Sequence, residues 1–214
     1  VRDVISAALN IRGRHPKVRF RFFSGDSSAV LEKLDRGLID FGITLDLPDT
    51  SAYNSLRLPH RDRWGVLIKR DDELAGRDYI TPDDLRGKPL IISSQEIVKN
   101  EIAGWIGGNH RALDVVATYT LVYNAKLMAE EGVGYVLTLS SLAGETGEGL
   151  LCFRPLAPRL VVKSRVVWRK YQTFAPEVEA FLEVLHGEID GRAPRDAAGE
   201  RHAGQALEKG GPDA

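Results

Sequence analysis

The sequence has little cysteine and no excess of charge of either sign. Cys152 is the only cysteine among 214 residues, which excludes an internal disulfide and a metal cluster built from thiolates. Lys and Arg number 29 against 30 for Asp and Glu, so the formal net charge is −1. Nucleic acids and anionic membranes attract a strongly basic surface, which this balance does not provide. We expect a protein of the reducing cytoplasm that contacts neither a membrane nor, through these residues, DNA.

Long hydrophobic runs are also missing. No apolar stretch reaches the roughly 18 residues that span a bilayer, and the first ten residues lack the basic and apolar regions of a secretory signal peptide. Hydrophobic residues make up 43% and charged residues 28%, as in ordinary globular proteins. The chain begins with Val1 instead of Met, so we expect a fragment or a processed product.

Signatures of catalysis, metal binding and cofactor binding are absent as well. The five histidines have neither a second His nor a Cys at ligand spacing, and no nucleophile elbow or phosphate-binding loop is present. Residues 132–134 (Gly-Val-Gly) follow a predicted helix and precede a predicted strand, the reverse of a dinucleotide-binding turn. Cys152 lies among apolar neighbours, which favours an inert buried thiol. We therefore expect no metal, no cofactor and no enzymatic activity.

Alternating strand and helix patterns make up most of the chain. Apolar and basic residues alternate over 18–24, a helix begins at Ser27, and an apolar strand covers 41–45, which together predict a βαβ unit with parallel strands. Further strands are predicted at 64–69, 89–93, 115–120, 135–139 and 160–168, with helices between them. A last helix carries Val178 to Leu185, and residues 187–214 have the composition of a flexible tail.

Small polar residues follow three of the predicted strands and open the next helix. They are the groups at 24–27 (Ser-Gly-Asp-Ser), 93–95 (Ser-Ser-Gln) and 120–124 (Thr to Asn). Each group alone is explained more simply as a helix N-cap. In open α/β sheets, however, ligands bind beyond the carboxyl ends of the strands, where helix N-termini offer free N–H groups. Three such groups together predict a cleft that holds a small anion.

The order and spacing of several short segments resemble the effector-binding domain of LysR-type transcriptional regulators. The similarity extends over about residues 4–185. Its individual segments are weak signals, but their order and spacing together are specific. They are His15-Pro16-Lys17-Val18, Gly25, Leu34-Asp35-Arg36-Gly37-Leu38-Ile39-Asp40, Leu74-Ala75, Asp84-Leu85-Arg86-Gly87 and Gly132-Val133-Gly134.

The resemblance implies a periplasmic-binding-protein-like (type 2) α/β fold, in which two subdomains hold a small-molecule effector between them. Subdomain I would comprise residues 1–45 plus 153–186 and subdomain II residues 46–152, with crossings near Asp46 and Leu151. The family's effector contacts, carried over by position, fall on Thr44, Ser93, Ser94, Gln95, Thr120, Tyr123 and Asn124.

The resemblance also implies partners and shows departures. Family members pair as homodimers or homotetramers and contact DNA through an N-terminal winged helix, which this sequence does not contain. The strand that precedes the opening helix in the family is missing too, which predicts a less stable domain than one with that strand. The alternative function is a free-standing solute-binding protein of the same fold. The resemblance implies that the effector is a small carboxylate. The sequence is consistent with an amino acid, an aromatic acid or a sugar phosphate.

Overall fold

A computed structural model describes residues 1–45, 51–107, 113–144 and 149–192. The helices are α1 (Arg2–Arg14), α2 (Ser27–Asp35), α3 (Pro82–Leu85), α4 (Glu96–Ile106), α5 (Val122–Glu130), α6 (Ser140–Ala143) and α7 (Pro176–Arg192). The strands are β1 (Gly42–Leu45), β2 (Tyr53–Lys69), β3 (Leu90–Ser93), β4 (Val115–Tyr119), β5 (Tyr135–Leu139), β6 (Leu151–Pro155) and β7 (Val161–Arg169).

One long strand, β2, joins two sheets. The strand order is β1-β7-β2-β5-β3-β4, and β6 also pairs with β2. Residues 53–63 of β2 pair with β7, whereas residues 64–69 pair with β5 and β6. The register of β2 against β7 shifts between Arg57 and Arg61. Pro59 lies inside this irregularity, where its missing N–H costs no ladder hydrogen bond.

Each part of β2 is covered by its own core. Around its first part, Leu58 is buried together with Ile11 of α1 and Leu185 of α7. In its second part, Val66 and Ile68 point to one face of the second sheet and Leu67 to the other, because successive side chains of a strand alternate. The second sheet, in which β3 pairs in parallel with β4 and β5 while β2 pairs antiparallel with β5 and β6, therefore has apolar cores on both faces.

The predicted strands 64–69, 89–93, 115–120, 135–139 and 160–168 are confirmed by β2, β3, β4, β5 and β7. Helix α3 begins with a capping interaction between Thr81 and Asp84. The Asp84 carboxylate accepts hydrogen bonds from the Thr81 N–H (2.8 Å) and hydroxyl (2.7 Å), which fixes the first turn. Cys152 is buried, with 2% of its surface exposed.

The predicted strand at 18–24 is wrong. These residues form neither helix nor strand, although Val18 and Phe20 are half-buried and Arg19 and Arg21 exposed, as the alternation predicted. A strand needs a neighbour to receive its N–H and C=O groups, and no strand of the described residues pairs with this segment. The βαβ unit expected over 18–45 is consequently not formed.

The last helix extends beyond its predicted end. Helix α7 continues to Arg192, and Ile189 is buried in the core that contains Ile11. Gly187 and Gly191 weaken the sequence pattern here, but packing of α7 against α1 overrides that weak propensity. Residues 187–192 are thus helical and not part of a tail, and residues 193–214 lie outside the described residues.

The strand pairing shows where the chain passes from one sheet to the other, and the predicted subdomain boundaries stay predictions. The predicted crossing near Asp46 lies outside the described residues. Near the other predicted crossing, Leu151 begins β6, which still pairs with β2 in the second sheet. The chain changes sheet between β6 and β7, at residues 156–160, and again within β2 at 63–64. No helix among the described residues is long and apolar enough to cross a membrane.

We expect Ile189→Ala to lower the free energy of unfolding by about 2–4 kcal/mol, because the truncation leaves a cavity between α7 and α1. Chemical denaturation monitored by circular dichroism would measure this change. The neighbouring exposed residue provides the control, since Asp190→Ala removes no packing. Equal stabilities of the two variants would contradict the packing of this last helical turn.

Candidate functional site

The strands β3 and β4 end side by side, which brings two of the predicted polar groups together. The strands are parallel, with Ser93 opposite Tyr119, and the Ser94 N–H donates to the Tyr119 carbonyl at 2.9 Å. Thr120 follows Tyr119 directly. The groups 93–95 and 120–124 therefore share the carboxyl edge of the second sheet, the place where open α/β sheets bind ligands.

The predicted residues at this edge differ in burial. Ser93 is 7% exposed, and its hydroxyl oxygen accepts a hydrogen bond from the Gln95 N–H at 3.3 Å. Thr120, Tyr123 and Asn124 are exposed. Ser93 therefore lies at the base of the site, whereas the first turn of α5 forms its outer side.

Both helices that begin at this edge lack a side-chain cap. The N-cap residues of α4 and α5, Gln95 and Leu121, accept no capping hydrogen bond with their side chains, in contrast to α2, where the Asp26 carboxylate accepts from the Ala29 N–H at 2.8 Å. Uncapped N-terminal N–H groups carry the positive end of the helix dipole. The edge can thus offer several backbone donors to an anion.

Thr44 lies where the first sheet meets the second. It belongs to β1, and its neighbour Leu45 packs against the core of the second sheet. Thr44 is 2% exposed, and its hydroxyl has no hydrogen-bond partner. A buried hydroxyl without a partner is unfavourable, so its placement favours a role in binding.

A hydrogen bond connects the helices of the two sheets. The Ser27 hydroxyl donates to Gln95 Oε1 at 3.0 Å. Ser27 opens α2, which packs against β1, and Gln95 precedes α4, which packs against β3. Ser27 belongs to the polar group 24–27, but the family resemblance carries no effector contact to it.

Asp62 lies next to the point where β2 changes sheet. It is 7% exposed and accepts hydrogen bonds from the hydroxyls of Ser140 and Ser141, from the Ser141 N–H at 3.1 Å and from the Arg63 N–H at 3.0 Å. Burial alone would raise the pKa of this carboxyl group, but these hydrogen bonds outweigh it and lower the pKa below its ordinary value of about 3.8. No sequence motif predicts these contacts of Asp62. Through these hydrogen bonds, the Asp62 carboxylate holds the start of α6 against β2.

The family model of the LysR substrate binding domain matches residues 5–190 of the chain. The chain belongs to this family. The predicted periplasmic-binding-protein-like (type 2) fold is thereby confirmed, as is the assignment to the effector-binding domains of LysR-type transcriptional regulators. Such domains are generally not enzymes. Among the described residues, no group of three or more His, Cys, Asp or Glu side chains could hold a metal ion.

Solved structures of LysR-family proteins share the fold at low sequence identity. The effector-binding domain of QuiR in complex with shikimate is 16% identical, with a TM-score of 0.76 over 89% of this chain and 92% of QuiR. HinK, a LysR family transcriptional regulator from Pseudomonas aeruginosa, is 15% identical, with a TM-score of 0.70 over 86% of this chain and 65% of HinK. No curated protein sequence matches the chain.

Full-length CbnR complexed with its target DNA is a third structure with this fold. It is 14% identical, with a TM-score of 0.69 over 87% of this chain and 65% of CbnR. The chain therefore spans about 65% of the length of HinK and CbnR. These likenesses establish the LysR substrate-binding fold and leave the roles of Thr44, Ser93, Ser94, Gln95, Thr120, Tyr123 and Asn124 as predictions.

We expect Asp62→Asn to lower the free energy of unfolding at neutral pH by about 1–3 kcal/mol, because it weakens several charge-assisted hydrogen bonds. The folded pKa lies below the ordinary value, so the carboxylate stabilises the fold above about pH 4, and this contribution is lost as the pH falls through the folded pKa. Denaturant unfolding between about pH 2.5 and about pH 7, from about 1.5 units below to about 3 units above the ordinary carboxyl pKa, measures both effects.

The control for this variant is Asp83→Asn, whose carboxylate is 85% exposed and pairs only with Arg86 among the ion pairs of the described residues. It should leave stability within about 0.5 kcal/mol of the parent and keep the full loss of stability in acid. An Asp62→Asn variant with the parent's acid profile would show that the Asp62 hydrogen bonds do not stabilise the junction.

Proposed function

We propose that the chain is the effector-sensing domain of a LysR-type bacterial transcriptional regulator. It binds a small anionic metabolite in the cleft between subdomain I (1–45 plus 153–186) and subdomain II (46–152), without transforming it. Binding modulates DNA binding and transcription by the full-length protein, which acts in the cytoplasm as a homodimer or homotetramer. DNA is contacted only through an N-terminal winged helix outside this sequence.

The observation that carries this proposal is the convergence of two uncapped helix N-termini on one sheet edge. Helices α4 and α5 both begin at the edge where β3 and β4 end. Their free N–H groups favour a ligand with negative charge, because each helix end carries roughly half a positive elementary charge. The hydroxyls of Ser93 and Thr120 lie at the same edge and can donate further hydrogen bonds.

The buried hydroxyl of Thr44 supports a ligand that reaches the first sheet as well. Its lack of a partner leaves a donor available at the junction of the sheets. A metabolite that contacts Thr44 on one side and Ser93 on the other would favour one relative position of the subdomains. Only such differential affinity for two arrangements can turn binding into a signal.

Shikimate, which is bound in the QuiR structure, is a small carboxylate and a suitable first probe. Isothermal titration calorimetry should test it together with aromatic acids, amino acids and sugar phosphates, each paired with an uncharged amide, ester or alcohol analogue. We expect at least one anion to bind, with its neutral analogue at least about tenfold weaker, which corresponds to 1.4 kcal/mol. Equal binding of the charged and neutral members of every pair would contradict an anion site.

For the anion that binds, we expect Ser93→Ala and Asn124→Ala each to weaken the affinity by about 1–3 kcal/mol, because each removes a hydrogen bond that becomes buried in the complex. The control is Thr173→Val, an exposed residue between β7 and α7. Calorimetry of the three variants, each checked for parental thermal unfolding, gives the comparison. Unchanged affinity in both site variants would reject these positions.

A further inference from the structure

We propose that the hydrogen bond between Ser27 and Gln95 is a latch across the cleft, which stabilises the closed arrangement of the two sheets and thereby raises effector affinity. Its donor lies on α2, beside the first sheet, and its acceptor lies at the start of α4, beside the second sheet. The effect on effector affinity rests on the proposed function, whereas the effect on the distance between the two sheets does not.

The Ser27 hydroxyl can donate to Gln95 because it is not required to cap α2. A serine at a helix start ordinarily accepts a hydrogen bond from the N–H two or three residues later. Here the Asp26 carboxylate already takes that position through the Ala29 N–H. Ser27 stands one residue further, inside the first turn, and its hydroxyl donates to the other sheet's helix instead.

The acceptor is anchored to the strand ends that form the effector site. The Gln95 N–H donates to the Ser93 hydroxyl oxygen, and the preceding Ser94 N–H donates to the Tyr119 carbonyl. The backbone of Gln95 is therefore held at the strand ends, and only its side chain can follow a movement of α2. The acceptor of the latch thus belongs to the same residue whose backbone contacts the buried Ser93.

The latch is weak enough to open. Ser27 and Gln95 are both half-buried, so water can replace either partner when the bond breaks. Loss of one neutral hydrogen bond of this kind changes the ratio of closed to open chains by roughly 2- to 12-fold. The apparent affinity of an effector that binds only the closed arrangement is proportional to the closed fraction, so removal of the latch should weaken binding by at most this factor.

The first test needs no effector. Cys152 is buried, so nitroxide labels can be attached selectively at Glu32→Cys in α2 and Asp83→Cys in α3, whose native side chains are 68% and 85% exposed. Pulsed electron paramagnetic resonance then measures the distance between α2 and α3. We expect Ser27→Ala and Gln95→Met to broaden this distance distribution toward longer values, with no further change in the double variant.

The matched control is Ser28→Ala, which removes the exposed neighbouring hydroxyl from the same helical turn. It should leave the parental distances. If Ser27→Ala gives the same distribution as Ser28→Ala, the latch is overturned, whatever the chain binds.

The second test applies calorimetry to Ser27→Ala and Ser28→Ala, using shikimate and the other anions of the panel. We expect weaker binding in Ser27→Ala alone, by up to roughly 12-fold. Altered distances without any anion binding to the parent would support the latch and contradict the proposed ligand class. Parental distances and parental affinity in Ser27→Ala would overturn the latch and leave the proposed function standing.

Discussion

The pairing of β2 with both sheets is the constraint on which the rest of the structure depends. The first part of this single strand, Tyr53–Lys69, pairs with β7, and its second part pairs with β5 and β6. The two sheets share this backbone, so any change in their relative position must be absorbed close to residues 63–64 and in the segment between β6 and β7. Asp62 stabilises one of these points, because its carboxylate accepts hydrogen bonds from Ser140 and Ser141 at the start of α6.

Elements stabilised by local sequence were predictable, and elements stabilised by distant pairing were not. The start of α3 depends on Thr81, Pro82 and Asp84, which are neighbours in sequence, and β3 is a short apolar run between turn signals. The first part of β2 is polar and contains Pro59, so its strand conformation comes from pairing with β7, about a hundred residues later. Residues 18–24 show the converse, since their alternating pattern has no strand to pair with among the described residues.

The same distinction separates the parts of the site. The rule that ligands bind beyond the carboxyl ends of strands identified Ser93 and Thr120 from sequence, and the parallel pairing of β3 with β4 places them on one edge. Thr44 came from the family resemblance, and its burial supplies a physical reason to retain it. The hydrogen bonds of Ser27 and Asp62 were not predicted, because their partners lie 68 to 79 residues away in the sequence and no local pattern encodes such a separation.

The position of β7 has a consequence for synthesis on the ribosome. Thr44 of β1 lies opposite Arg165, and the first part of β2 also takes its hydrogen bonds from β7. The first sheet therefore cannot form until the residues of β7 have left the ribosomal tunnel. The second sheet, built almost entirely from residues 64–155, can assemble earlier. The nascent chain then carries α1, α2 and β1 ahead of the second sheet without their strand partner, and their apolar side chains remain accessible to chaperones until β7 has been synthesised.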